Sequence, residues 1–179
     1  FMQCICSSHH HYTTFTGWLN TKIKEYPRSV IIDIGGYSLD YLQLKYGKAD
    51  MSVCDSLDMG VITLYNDIKS RINSVEDMLI TENDIDAVLK NKPTVFDERI
   101  KRIIKHQTVD FTEKIINSLR ERFIDLKTTQ AIFVGGGSLL LSKYITASSK
   151  ITNPEIIENI SANAMGYDIL LRKQIEHGR

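Results

Sequence analysis

Two glycine-rich stretches hold the residue types that could do chemistry. The first is Asp33-Ile34-Gly35-Gly36-Tyr37-Ser38-Leu39-Asp40, which follows the apolar run Val30-Ile31-Ile32. The second, Gly135-Gly136-Gly137-Ser138, follows Ala131-Ile132-Phe133-Val134. A strand that ends in a carboxylate and turns on paired glycines has a plain reading, a hairpin with a polar tip. It has a chemical reading too. Glycine backbone lets a phosphate approach N–H groups that a Cβ would shield, and Ser38 adds a hydroxyl. Asp33, at a strand end, can reach Mg²⁺ directly or through water, and Mg²⁺ favours one or two carboxylates combined with phosphate oxygens. Asp40, across the turn, can position a water or support the metal's ligands. The second stretch ends a strand and opens a helix, which sets bare backbone at a helix N-terminus against a flat or anionic group. One glycine pair is weak evidence. Two such turns, each at a strand end, reinforce each other.

To position these residues, strands must end at both turns. Residues 29–34, 38–45 and 49–54 read as strands joined by tight turns, hence an antiparallel meander. Gly60 precedes a helix whose apolar stripe is Val61, Leu64, Tyr65, Ile68 and Ile72. Residues 73–110 are more polar and read as a small helical insertion. Within it, 82–90 predicts a short helix capped by Thr81, ended by Asn91-Lys92-Pro93. Residues 96–126 predict a long helix with a break near Thr108. Phe111, Ile115, Leu119 and Phe123 recur there at every fourth position, and Tyr65, Phe111 and Phe123 read as core or interface aromatics. The charged stretch 97–105 reads as a solvated helix face. A fourth strand is expected at 129–134, a helix at 139–147 and a short strand near 150–152. Asn153-Pro154 then turns the chain into a closing helix with the stripe Ile160, Ala164, Tyr167 and Leu171. The order β-β-β-α, insertion, α-β-α-β-α predicts an α/β, ribonuclease-H-like fold. Its five-stranded mixed sheet has strands one to three antiparallel and strands four and five parallel to strand one, with flanking helices.

Composition narrows the functional classes. The chain has 179 residues, 42% hydrophobic and 25% charged, with 22 basic and 22 acidic side chains and zero net charge. This is ordinary globular composition. It argues against a nucleic-acid or membrane surface built on bulk charge. No apolar stretch approaches the roughly 20 residues that span a bilayer. The start, FMQCICSSHHHY, lacks the features of a secretory signal, and Cys4, Cys6 and Cys54 do not make a disulfide framework. A cytoplasmic location is expected. Cys4, Cys6, His9, His10 and His11 are metal-binding types, but the cysteine pair is spaced more tightly than zinc sites require and no second pair follows. Residues 1–26 therefore read as an N-terminal remnant or flexible segment, with a short helix at 14–26 ended by Pro27. Trp18 has no assigned role, and His106 and His177 read as surface residues.

The phrase IIDIGGYSLDYLQL resembles the second phosphate loop of the actin, sugar-kinase and heat-shock-chaperone ATPase superfamily. Within it, the resemblance is to the plasmid-segregation actin-like ATPases of the ParM/StbA type. SVCDSLDMGVITLYNDI is similar to that family's third strand and following helix, with its glycine just before the helix. TQAIFVGGGSLLL is similar to the adenosine loop, and ENISANAMGYDILL to the closing helix. Together these cover about residues 28–175.

The resemblance implies ATP or ADP with Mg²⁺. Asp33 would be the metal-linked aspartate, and Gly35, Gly36, Tyr37 and Ser38 would wrap the β- and γ-phosphates. Gly135, Gly136, Gly137 and Ser138 would border the adenosine, and Glu98 and Arg102 of the insertion would flank the adenine. It also implies a filament-forming ATPase of plasmid segregation. Its partners would be same-family subunits and a DNA-bound adaptor, with no direct contact to nucleic acid or membrane. Members have two similar domains around the nucleotide, and residues 27–179 resemble only the second. The first phosphate loop and the catalytic acidic or amide residue have no counterpart, so no catalytic residue is assigned. The expectation is weak nucleotide binding and little hydrolysis by this chain alone. Two other classes fit the same residues: a domain of a sugar- or acetate-kinase-like phosphotransferase, and a degenerate domain that only binds. The short insertion and the phrase ANAMGY favour the actin-like branch.

Overall fold

Strict alternation along β1 (Arg28–Ile34) assigns Val30, Ile32 and Ile34 to one sheet face and Ile31 and Asp33 to the other. The computed structural model to which β1 belongs describes residues 25–157. Cys4, Cys6, His9, His10, His11, Trp18, His177 and the predicted closing helix with Ile160, Ala164, Tyr167 and Leu171 lie outside the described residues. β2 (Leu39–Lys45) pairs antiparallel with β1, and β3 (Lys48–Leu57) pairs antiparallel with β2. β4 (Gln130–Val134) lies parallel to β1, and β5 (Glu155–Ile156) parallel to β4. The sheet order is β3-β2-β1-β4-β5, the five-stranded mixed sheet expected from the sequence.

Four helices are described: α1 (Val61–Glu76), α2 (Glu82–Leu89), α3 (Glu98–Glu121) and α4 (Gly136–Ala147). The main core joins Ile32, Ile34 and Tyr41 of the sheet to Leu64, Ile68, Ile104, Phe111 and Leu141 of the helices. Each such buried side chain contributes ~1.5–3 kcal/mol. A smaller cluster of Ile31, Leu42, Leu44, Ile132 and Val134 occupies the opposite face. The start of α2 is fixed by a reciprocal cap. The Thr81 hydroxyl accepts from the Asp84 amide, and the Asp84 carboxylate accepts from the Thr81 amide at 2.8 Å. Asp97 opens α3 by accepting from the Ile100 amide at 2.9 Å.

Local details depart from the sequence reading for identifiable reasons. α3 runs unbroken through Thr108, because the buried hydroxyls of Thr108 and Thr112 donate to the carbonyls of Ile104 and Thr108, both at 2.8 Å. The in-helix bonds satisfy both groups without a break. Phe123 is not a core aromatic: α3 stops at Glu121, and Phe123 sits beyond it at φ 61°, 95% exposed. Helical periodicity cannot place a residue outside the helix. α4 opens at Gly136 rather than at 139, so Gly136, Gly137 and Ser138 form its first turn. The strand expected near 150–152 forms instead at Glu155–Ile156. The amides of Ile151 and Thr152 are spent on the carbonyls of Ser148 and Leu126, and Pro154 precedes a strand, not a helix.

Candidate functional site

β1 and β4 are parallel neighbours, so both glycine turns leave the same edge of the sheet. From β1 the chain continues to β2 on one side, and from β4 it continues through α4 to β5 on the other. Open sheets of this kind bind ligands at the crevice where strand order diverges. In register, Asp33 stands between Asp40 of β2 and Val134 of β4. It is 7% exposed, and its carboxylate lies against the second turn: a Cβ built on Gly135 would be 2.3 Å from Asp33 Oδ1. Gly135 also has φ +89°, which favours glycine. The two turns therefore form one continuous surface with Asp33 at the seam.

The first turn is closed by the Gly35 amide donating to the Ser38 carbonyl at 2.9 Å. Its other carbonyls face α1. Those of Tyr37, Gly35 and Gly36 accept from the amides of Gly60, Val61 and Ile62 at 3.1, 3.0 and 2.9 Å. Ser38 Oγ donates to Asp40 Oδ2 at 3.3 Å. The Tyr37 ring is 81% exposed.

A cavity of about 690 Å³ opens between the turns, within the roughly 300–1,000 Å³ usual for ligand sites. Gly35 and Gly36 line one side, Gly136 and Gly137 another. Tyr65 of α1, Asp86 of α2 and Lys90, which caps the C-terminus of α2, supply a polar wall, and Leu140 and Lys143 of α4 also contribute. The Tyr65 phenol donates to Asp86 Oδ1 at 2.5 Å, and the Lys90 ammonium pairs with the same carboxylate. Burial, then this bond to Asp86, hold the phenol's pKa well above its usual value. It therefore stays protonated as the donor.

The sequence-predicted residues divide accordingly. Asp33, Gly35, Gly36, Gly135, Gly136 and Gly137 come together at one edge. Ser138 is different: its hydroxyl is fully buried and donates to the Val134 carbonyl, so it serves the start of α4 and not the cavity. Glu98 and Arg102 line a separate recess of about 340 Å³ on α3 with Lys105 and His106. They do not border the cavity between the turns. What residues 73–110 contribute there comes from Asp86 of α2 and its C-cap Lys90, four residues apart. That spacing was visible in the sequence, but nothing in it told which α2 face meets α1. Tyr65 reads from the sequence as an apolar stripe residue, whereas in the structure its hydroxyl reaches Asp86, a contact that helical periodicity does not signal. His106 is a surface residue paired with Asp110 at 2.9 Å.

The donor set suits a hard cation. Among the described residues no cluster of three or more His, Cys, Asp or Glu could hold a metal by itself. Carboxylates at the seam combined with phosphate oxygens are the mode Mg²⁺ prefers, and Asp33 with Asp40 offers that chemistry.

Residues 31–147 match the family described as archaeal actin homologue MreB-like, C-terminal. No curated protein sequence matches the chain at a significant level. Among solved structures, the archaeal actin homolog Ta0583 superposes with a TM-score of 0.67 at 19% identity, covering 91% of this chain and 54% of that one. A non-polymerisable quadruple mutant of pCBH ParM gives 0.68 at 17% identity, covering 89% and 52%. Bacillus thuringiensis ParM with AMPPNP gives 0.59 at 16% identity, covering 83% and 48%. Ta0583 has also been solved in complex with ADP. The chain spans about half the length of these structures, and at such identities the likeness establishes the fold. No helix among the described residues is long and apolar enough to cross a membrane.

Proposed function

Because the chain belongs to the family of archaeal MreB-like actin homologues, whose C-terminal region it matches, we propose that it is the nucleotide-binding half of an actin-like ATPase. On this reading it takes ATP or ADP with Mg²⁺ at the two glycine turns. The observation that carries the reading is the convergence of Gly35 and Gly36 of one turn with Gly136 and Gly137 of the other on one cavity walled by α1, α2 and α4. Asp33 does not line that cavity but lies against Gly135 where the turns meet. Each group then has a task. The amides of the first turn meet the terminal phosphates, and Asp33 with Asp40 would hold the Mg²⁺. The metal, when bound, neutralises phosphate charge. Gly136, open on its Cβ side, lets the nucleoside lie against bare backbone, and the Tyr65–Asp86–Lys90 wall receives polar atoms at the far end.

We extend the reading to a filament-forming protein whose partners are same-family subunits. The narrower role in plasmid segregation, with a DNA-bound adaptor, is supported by the sequence phrases quoted above. The archaeal branch is supported by the family match.

Titration calorimetry with ADP–Mg²⁺ and ATP–Mg²⁺ tests the site. Binding in the micromolar-to-millimolar range is expected, roughly −4 to −8 kcal/mol, and Asp33→Ala should weaken it at least tenfold. A chain that ignores millimolar nucleotide, or an Asp33→Ala variant that binds as well as wild type, would sink the assignment.

A further inference from the structure

The bonds that fasten the first turn to α1 all run in one direction, from helix amide to turn carbonyl. Gly60, Val61 and Ile62 donate to Tyr37, Gly35 and Gly36 respectively. In a trans peptide the C=O and the N–H that follows it point in opposite directions. With the carbonyls of Gly35, Gly36 and Tyr37 drawn toward α1, the amides of Gly36, Tyr37 and Ser38 must all turn to the far side. Successive N–H groups aimed together from a turn make an anion-binding concavity. The first turn of α1 thus gives up its own donors to orient those of the loop.

The residue that permits this is Gly60. Its φ of −87° and ψ of 175° are open to any amino acid, so conformation does not require glycine there. Space does. A Cβ at Gly60 would lie 2.2 Å from the Gly36 carbonyl oxygen and 2.4 Å from the carbonyl carbons of Gly36 and Tyr37. All three are backbone atoms and cannot rotate aside, so the turn itself would have to move.

We infer that Gly60 is a positioning residue: it touches no ligand but sets the direction of the three turn amides by allowing α1 to clip their peptides. The inference rests on the phosphate reading of the turn for its functional meaning.

Two variants test it by amide NMR of the full chain. Gly60→Ala introduces the clash. Val61→Pro deletes one clip bond at the first helical position, where proline is well tolerated, and the ψ of Gly60 suits a residue before proline. Without ligand, Gly60→Ala should shift the resonances of Gly36, Tyr37 and Ser38. Val61→Pro should act mainly on Gly36, whose N–H shares a peptide with the Gly35 carbonyl. The resonances of Asp86 and Lys90 should stay in place in both. With ADP–Mg²⁺, dissociation constants should rise at least tenfold for Gly60→Ala and a few-fold for Val61→Pro. Turn resonances that stay put in either folded variant would overturn the inference. If wild type fails to bind ADP, the nucleotide reading falls, and the ligand-free shifts still decide the role of Gly60. If Gly60→Ala does not fold, Val61→Pro carries the decision.

Discussion

Gly135 and Gly136 are adjacent and look interchangeable in the sequence, yet their surroundings are opposite. Gly135 has φ +89°, and a side chain there would collide with Asp33 Oδ1 and the Ile34 carbonyl. Gly136 has nothing within 4 Å of its Cβ position and lies in the first turn of α4. Gly137 is different again, since a Cβ there would strike Ile34 and Val61 at 2.6–2.7 Å, which makes it a helix-to-sheet packing residue. Gly135→Ala is expected to lose at least ~1–3 kcal/mol from the strained backbone alone, with the displaced Asp33 adding to that. Gly136→Ala should be neutral or gain up to ~1 kcal/mol, as alanine replaces glycine in a helix. Urea unfolding of the two variants checks the contrast, and equal destabilisation would contradict this geometry.

Among the elements, α3 carries two informative features at its ends of contact. At its C-terminus the Ile124 and Phe123 amides bond back to Leu119 and Arg120, both at 3.0 Å, with Phe123 in the left-handed conformation where glycine is usual. Nothing among the described residues buries its ring, so Phe123→Gly should raise stability by ~0.5–1 kcal/mol. A fall in the urea midpoint would mean the ring makes contacts this structure does not display. Along its length α3 is tied to the segment after α4. The Lys150 ammonium lies 2.5 Å from Glu113, and Ser148 Oγ donates to Glu113 at 3.0 Å. Lys150 first, then Ser148, hold the Glu113 carboxyl below its ordinary value of 4.5. A depressed pKa contributes stability above the unfolded value and loses it as pH falls through the folded one. Glu113→Gln should therefore cost ~0.5 kcal/mol near pH 7, and the gap from wild type should close progressively as pH falls below the ordinary carboxyl value of 4.5. Thermal melts across that range measure it, and a gap that persists in acid would assign the cost to packing.

At the scale of the whole molecule, the sheet presents Asp33 and both turns along one edge, and the chain spans about half of each solved structure it resembles. Positioning and charge stabilisation in phosphoryl transfer require donors on more than one side of the phosphate. Losing a single such donor commonly costs ~3–4 kcal/mol of transition-state stabilisation. The 179-residue chain by itself is expected neither to release phosphate from ATP at a useful rate nor to scatter light as growing filaments. Phosphate-release assays and light scattering with and without ATP–Mg²⁺ provide the check, and ATP-dependent filaments from this chain alone would refute it.

Local signals were enough for much of this fold. The continuous apolar run of β1, the alternation in β2, the tight turns between the first three strands and the glycine breaks at 35 and 135 each depend on neighbours within a few residues. The sheet's composition and strand directions followed from them. So did the Thr81 cap, because a helix start is settled within one turn. Tertiary structure decided what depends on which faces meet. Only packing of α2 against α1 placed Asp86 and Lys90, and not Glu98 and Arg102, beside the cavity. Only the end of α3 put Phe123 into solvent, and only contacts with residues distant in the chain distinguished the roles of Gly60, Gly135, Gly136 and Gly137. A glycine's Cβ is missing from the sequence in the same way everywhere. What would fill its place is fixed by atoms far away along the chain.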